Sequence, residues 1–115
     1  MFNKLRTVIY HTEDLPKAKT WYSNLLGKQP YFDESFYVGF DVNGFELGLD
    51  PEWKGIEKGN QAVAYWAVDD IELCVKTLEA QGAVIADHVK EVGGGIKMAV
   101  VNDPFGNPVG LIEGA

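Results

Sequence analysis

Cysteine is nearly missing from this chain of 115 residues: Cys74 stands alone, so no intramolecular disulfide can staple the fold. Its place in an apolar stripe at helical spacing marks a small core residue, with no basic neighbour positioned to activate the thiol. Basic residues are also sparse and scattered. Ten Lys and Arg against seventeen Asp and Glu leave a formal net charge of −7, which argues against nucleic acid and against an anionic membrane as partners. No apolar run is long enough to span a bilayer, and the opening MFNKLRTVIY lacks the features of a secretory signal, so a cytoplasmic protein is expected. What is present is ordinary globular composition, 46% hydrophobic and 23% charged, in a length that suits one compact domain, 1–115.

Punctuation along the chain is clear. Leu5 to Thr12 is rich in β-branched and aromatic residues and reads as a strand. Asp14 then offers an N-cap and Pro16 a first turn; Leu15, Ala18, Trp21, Tyr22, Leu25 and Leu26 recur at helical spacing until Gly27. Strands are expected around Gln29 to Phe32, over Phe36 to Val42 and over Phe45 to Leu49, the last two joined at Asn43-Gly44.

The order β-α-β-β-β then begins again. Ala62 to Val68 is a strand, Asp69-Asp70 a cap, and Ile71, Cys74, Val75 and Leu78 a helical stripe closed by Gly82. Ala83 to Ala86, Ile96 to Val101 and Val109 to Ile112 supply three more strands. Module one covers about 1–50, the polar segment 51–60 links, and module two covers about 61–115. The fold class is α+β: one helix covers one face of each four-stranded sheet, and two such sheets side by side would curl their free faces into a cup fit for a small-molecule ligand.

This chain resembles the vicinal oxygen chelate superfamily, the group of glyoxalases, bleomycin-resistance proteins and dioxygenases. Its paired βαβββ modules, the segment EDLPKAKTWYSNLLG and the closing DPFGNPVGLIE carry the likeness, which spans nearly the whole chain. The resemblance implies a cup-shaped, partly closed mixed sheet and, in metal-using members, four ligands from the first and last strands of each module. Counting back from Asp14 and Gly27 puts the first position at Thr7 and counting back from Gly82 puts the third at Val63, while the last strand of each module gives Glu46 and Gly110. Only Glu46 is a good ligand, so neither metal nor cofactor is expected.

Strand alternation places Thr7, Ile9 and His11 on the face away from the helix, Glu46 inward, and Tyr65 inward with Val63 and Ala67. Glu46 needs a partner there, for which Thr7 or solvent would serve. Lys97 is read as a cation near the cup mouth, and Gly93-Gly94-Gly95 as a flexible loop beside it. His88 reads as a solvated loop residue, while Phe36 or Tyr37, Phe40, Trp53 and Phe105 are further rings with core or cup roles. The expected ligand site is Thr7, Ile9, His11, Glu46, Val63, Tyr65, Lys97 and Gly110. It implies a protein that binds a small aromatic or apolar molecule without a conventional metal site. The resemblance adds a homodimer as the expected form. The alternative is a lyase, isomerase or dioxygenase of the glyoxalase type, using an atypical metal at Glu46 or acid-base chemistry by Glu46 and His11.

Overall fold

The computed structural model describes residues 1, 3–52 and 63–114, so Trp53 and most of the 51–60 linker lie outside the described residues. The chain forms two compact units, 1–55 and 56–115, and the division falls inside that linker.

In the first unit β1 (Thr7–His11) leads into α1 (Leu15–Leu26), followed by β2 (Phe32–Glu34), β3 (Tyr37–Val42) and β4 (Phe45–Asp50). The transition from strand to helix is built from short polar side chains. The buried Thr12 hydroxyl accepts from Asp14 N, and Asp14 caps the helix by accepting from Lys17 N at 3.1 Å. Gly27 closes the helix in the left-handed region, φ 66°. The sheet order is β1-β4-β3-β2, with β1 parallel to β4 and the other pairs antiparallel. Leu15, Ala18 and Tyr22 of α1 are buried together with Tyr10, Val38, Phe40, Leu47 and Leu49 of the strands, and the Tyr10 and Tyr22 ring centroids lie 5.8 Å apart. Phe40 is wholly buried in this core, so it does not belong to the free face. The strand anticipated at 29–32 begins later, at Phe32, because Pro30 has no N–H to give a ladder and the pairing opens with Tyr31 N donating to Gly39 O.

The second unit repeats the order: β5 (Tyr65–Ala67), α2 (Ile71–Ala80), β6 (Val84–Gly93), β7 (Ile96–Asn102) and β8 (Pro108–Glu113), arranged β5-β8-β7-β6. Asp70 caps α2 by accepting from Leu73 N at 3.1 Å. Ile71, Val75 and Leu78 are buried with Ala99, Val101, Val109 and Leu111. The turn before β8 is organised by Asp103, 3% exposed, whose carboxylate accepts from Phe105 N at 2.9 Å and from Asn107 N at 2.8 Å. This is the α+β fold of two βαβββ units that the repeat predicts.

Two readings in this unit are corrected. β6 runs to Gly93 rather than stopping at Ala86, so His88 is an exposed strand residue and not a loop residue. Charged residues break the apolar alternation that would have marked the strand, and three register shifts interrupt its pairing with β7. Gly94 and Gly95, with φ of 63° and 77°, form the two-residue turn of a β6–β7 hairpin instead of a flexible loop.

Candidate functional site

Alternation gives the first sheet a helix-covered face and a free face. The free face carries Thr7, Ile9 and His11 from β1, Glu46, Gly48 and Asp50 from β4, and Tyr37, Gly39 and Asp41 from β3. The register is fixed by Thr7↔Glu46, His11↔Asp50, Gly39↔Gly48 and Asp41↔Glu46. Glu46 is half-buried at the centre of this surface.

Its partners are two phenols. The Tyr31 hydroxyl donates to Glu46 Oε1, and the Tyr37 hydroxyl donates to Oε2 at 2.9 Å. Paired glycines make room for them. A Cβ on Gly48 would overlap the Tyr37 phenol, and one on Gly39 would sit 2.9 Å from Glu46 Oε1 and 3.4 Å from the Tyr31 ring. Burial pushes the Glu46 carboxyl upward, but the Tyr31, Tyr37 and Thr7 hydroxyls and the Arg6 charge outweigh it and hold the group below its ordinary value. The phenols move the other way. Burial and then the bond to Glu46 push Tyr37 up, and the bond to Glu46 raises Tyr31. At neutral pH the cluster is therefore one carboxylate and two neutral phenols: a fixed hydrogen-bond acceptor, poorly suited to proton transfer. Thr7, on the neighbouring strand, accepts from Arg6 Nη1 at 3.0 Å.

Beside Glu46 lies a cavity of about 340 Å³ lined by Lys4, Arg6, Tyr31, Asp41, Gly44, Phe45 and Glu46. Phe45 and Tyr31 are 54% and 59% exposed, so aromatic surface is open to a ligand there.

His11 does not join this cluster. It lies opposite Asp50, four residues along the ladder from Thr7 and Glu46, which at 3.3 Å per residue is about 13 Å. The postulated Glu46–His11 proton relay thus has no support in the register. Ile9 is exposed on the same face between them.

In the second unit Tyr65 lies directly opposite Gly110, and a Cβ on Gly110 would meet the Tyr65 ring at 2.6–2.8 Å. The register corrects the position taken from the helix cap. Gly110 N donates to Ala64 O just as Glu46 N donates to Arg6 O, so Tyr65, and not Val63, is the ladder counterpart of Thr7. Gly82 follows Tyr65 by 17 residues where Gly27 follows Thr7 by 20, so the count back from the helix end overshot the strand position. Lys97 is misplaced as well. It shares the parity of the buried Ala99 and Val101, and its ammonium pairs with Glu72 of α2 at 2.8 Å, on the helix side of the sheet and away from Tyr65 and Gly110.

The positions implied for a divalent metal do not fit one. Each Glu46 oxygen already accepts a phenol, Thr7 is a weak donor atom, Gly110 has no side chain, and the ring of its neighbour Tyr65 fills the space one would need. Among the described residues the carboxylates of Asp70, Glu72 and Glu113 converge within 4.8 Å. They too are committed: Asp70 caps α2, Glu113 accepts from Ile71 N at 2.9 Å and Glu72 pairs with Lys97. The lone thiol offers no nucleophile, since burial pushes Cys74 up.

Sequence reasoning missed Tyr31 altogether and gave Tyr37 only a possible lining role. The signal was available in Gly39 and Gly48: glycine inside a strand marks close approach by another group.

The sequence profile of the Glyoxalase/Bleomycin resistance protein/Dioxygenase superfamily matches residues 4–111, and the chain belongs to this family. Solved structures share the fold. A glyoxalase/bleomycin resistance protein/dioxygenase family enzyme from Burkholderia phytofirmans PsJN aligns with TM-score 0.77 at 19% identity, covering 96% of this chain and 98% of the other. A glyoxalase-related enzyme from Fulvimarina pelagi gives 0.77 at 15% identity, over 98% and 89%. Lactoylglutathione lyase from Agrobacterium tumefaciens gives 0.72 at 17% identity, over 96% and 93%. No curated protein matches the sequence. No helix among the described residues is long and apolar enough to cross a membrane.

Proposed function

We propose that this protein binds a small organic molecule with an aromatic body in the Glu46 cavity of its first unit, without the divalent metal used by enzymes of its superfamily. The observation that carries the reading is the double engagement of Glu46 by Tyr31 and Tyr37, which gives the carboxylate two proton donors where a metal-binding carboxylate keeps its oxygens open. The exposed rings of Tyr31 and Phe45 supply stacking surface, and Lys4 and Arg6 supply charge at the rim. Metal-free acid-base catalysis by Glu46 and His11 has little to recommend it, because the carboxyl is held low and His11 is remote along the ladder.

The test is elemental analysis of protein purified without chelator and dialysed against dilute Zn, Ni, Mn and Fe salts, with a small-aromatic fragment screen by NMR on the same preparation. We expect substoichiometric metal and fragment-induced shifts at Tyr31, Phe45 and Glu46 that persist in EDTA. Stoichiometric metal that disappears in Glu46→Ala would overturn the proposal.

A further inference from the structure

We infer that the ligand of the Glu46 cavity is a small aromatic zwitterion, its ammonium group received by Glu46 and its anionic group by Arg6 and Lys4. The inference rests on the reading of this cavity as a ligand site and specifies the chemistry of what enters.

Hydrogen-bond polarity carries it. The phenol protons of Tyr31 and Tyr37 are both spent on Glu46, so towards a ligand these three residues offer lone pairs only. A carboxylate has about four lone-pair positions. Even with the Thr7 hydroxyl added to the two phenols, Glu46 keeps capacity for a further donor. A ligand carbonyl, ether or carboxylate placed there would set acceptor against acceptor, whereas an ammonium supplies both donors and the opposite charge.

The adjoining wall has the reverse character. Lys4 and Arg6 present donors and positive charge only, and among the described residues neither forms a salt bridge. Arg6 gives one N–H to Thr7 and retains the remainder of its guanidinium fork. The other lining carboxylate, Asp41, already has an ammonium beside it: Lys28 Nζ lies 3.9 Å from Oδ2 and bonds the Asp41 carbonyl at 2.7 Å, while Oδ1 accepts from Gly44 N at 3.2 Å. Glu46 has hydroxyl partners but no ammonium, and its remaining acceptor capacity is where a ligand ammonium would enter.

The two walls are close. Arg6 Nη1 donates to Thr7 Oγ1 at 3.0 Å, and Thr7 is the ladder partner of Glu46, so the guanidinium lies beside the carboxylate cluster. That adjacency suits a compound carrying its ammonium and carboxylate close together, with its ring against the cavity residues Tyr31 and Phe45. A cavity of about 340 Å³ accommodates such a molecule.

Four probes of matched ring size test the charge pattern: L-phenylalanine, phenethylamine, 3-phenylpropionate and benzyl methyl ketone, titrated into the full chain by calorimetry and ¹H–¹⁵N NMR. The expected result is that L-phenylalanine binds at least tenfold more tightly than either singly charged analogue and that the ketone binds weakest. Arg6→Ala should abolish the advantage over phenethylamine, and Glu46→Gln the advantage over 3-phenylpropionate. Should Glu46→Gln fail to fold, the ranking of the four probes on the unaltered protein decides alone. Equal affinities, or a preference for the ketone, with shifts still centred on Tyr31 and Glu46 would overturn the zwitterion while leaving the cavity a ligand site. If no probe shifts those residues, both the zwitterion and the aromatic-ligand reading fall.

Discussion

Removing one phenol oxygen from the Glu46 cluster tests how the site is held together. Tyr37→Phe keeps the ring beside Gly48 and deletes only the hydroxyl that donates to Glu46 Oε2 at 2.9 Å; that oxygen is also the atom nearest the Gly48 Cβ position, so the change opens a space one oxygen wide and introduces no clash. A hydrogen bond to a charged group contributes about 1.5–3 kcal/mol. Half-burial of both partners, with solvent able to replace part of the bond, brings the expected loss below that range, to about 1 kcal/mol at pH 7. The pH dependence follows from the direction of the Glu46 shift. Its carboxyl is lower in the folded protein than in the unfolded chain, where it titrates near 4.3. Stability from this cluster is therefore fully present above that value and is lost as pH falls through the lower, folded one. Chemical denaturation of wild type and Tyr37→Phe from pH 7 down to pH 3 should show a gap of about 1 kcal/mol that narrows once pH falls below the ordinary carboxyl value. Carboxyl ¹³C titration should show Glu46 in the variant moving up towards its ordinary value. A gap independent of pH, or an unmoved Glu46, would refute the claim that the phenol stabilises the ionised carboxylate.

Gly110→Ala should destabilise the second unit by about 1–3 kcal/mol in thermal or denaturant unfolding, since its Cβ would lie 2.6–2.8 Å from Tyr65 Cγ, Cδ1 and Cε1, and Tyr65→Ala in the same chain should recover most of that loss. Asp103→Ala removes the acceptor for Phe105 N and Asn107 N from a buried position and should cost at least about 2 kcal/mol, read from the same curves. Lys97→Met breaks the pair with Glu72 on the helix side of its sheet and should leave the affinity for a bound probe unchanged by calorimetry; weakened binding would contradict that placement.

Elements announced by local chemistry were legible in the chain. Asp14 and Asp70 at the caps, Gly27 after α1, Asn43-Gly44 between β3 and β4, and the alternation around Leu47 and Leu111 all acted where their type dictates. Ladder register was not legible, because it depends on which residues of two distant segments pair. A helix end is only an indirect ruler for a strand, and the shorter passage from Tyr65 to Gly82 than from Thr7 to Gly27 put Val63 where Tyr65 belongs. Lys97 failed for a similar reason. Its parity was countable from Val101, but the ion pair with Glu72 spans 25 residues, and only tertiary structure brings it about.

Tyrosine and glycine divide the free faces between them. The Tyr37 phenol lies over Gly48 and the Tyr65 ring over Gly110, each filling the volume that the glycine vacates, while Gly39 makes room for the Glu46 carboxylate with the Tyr31 ring beside it. The two sheets use this device to different ends. In the first unit the carboxylate survives on β4, and rings supported on glycines of β3 and β4 aim their hydroxyls at it, so the polar group is kept ionised and partnered. In the second unit the glycine stands at the carboxylate's own ladder position, and the ring takes the place of the acid. Restoring a carboxylate at Gly110 alone would drive it into Tyr65, so the second unit must lose its tyrosine before it can regain an acid. The chemistry open to the chain is consequently concentrated at Glu46, where a ligand meets a charge already stabilised by two phenols.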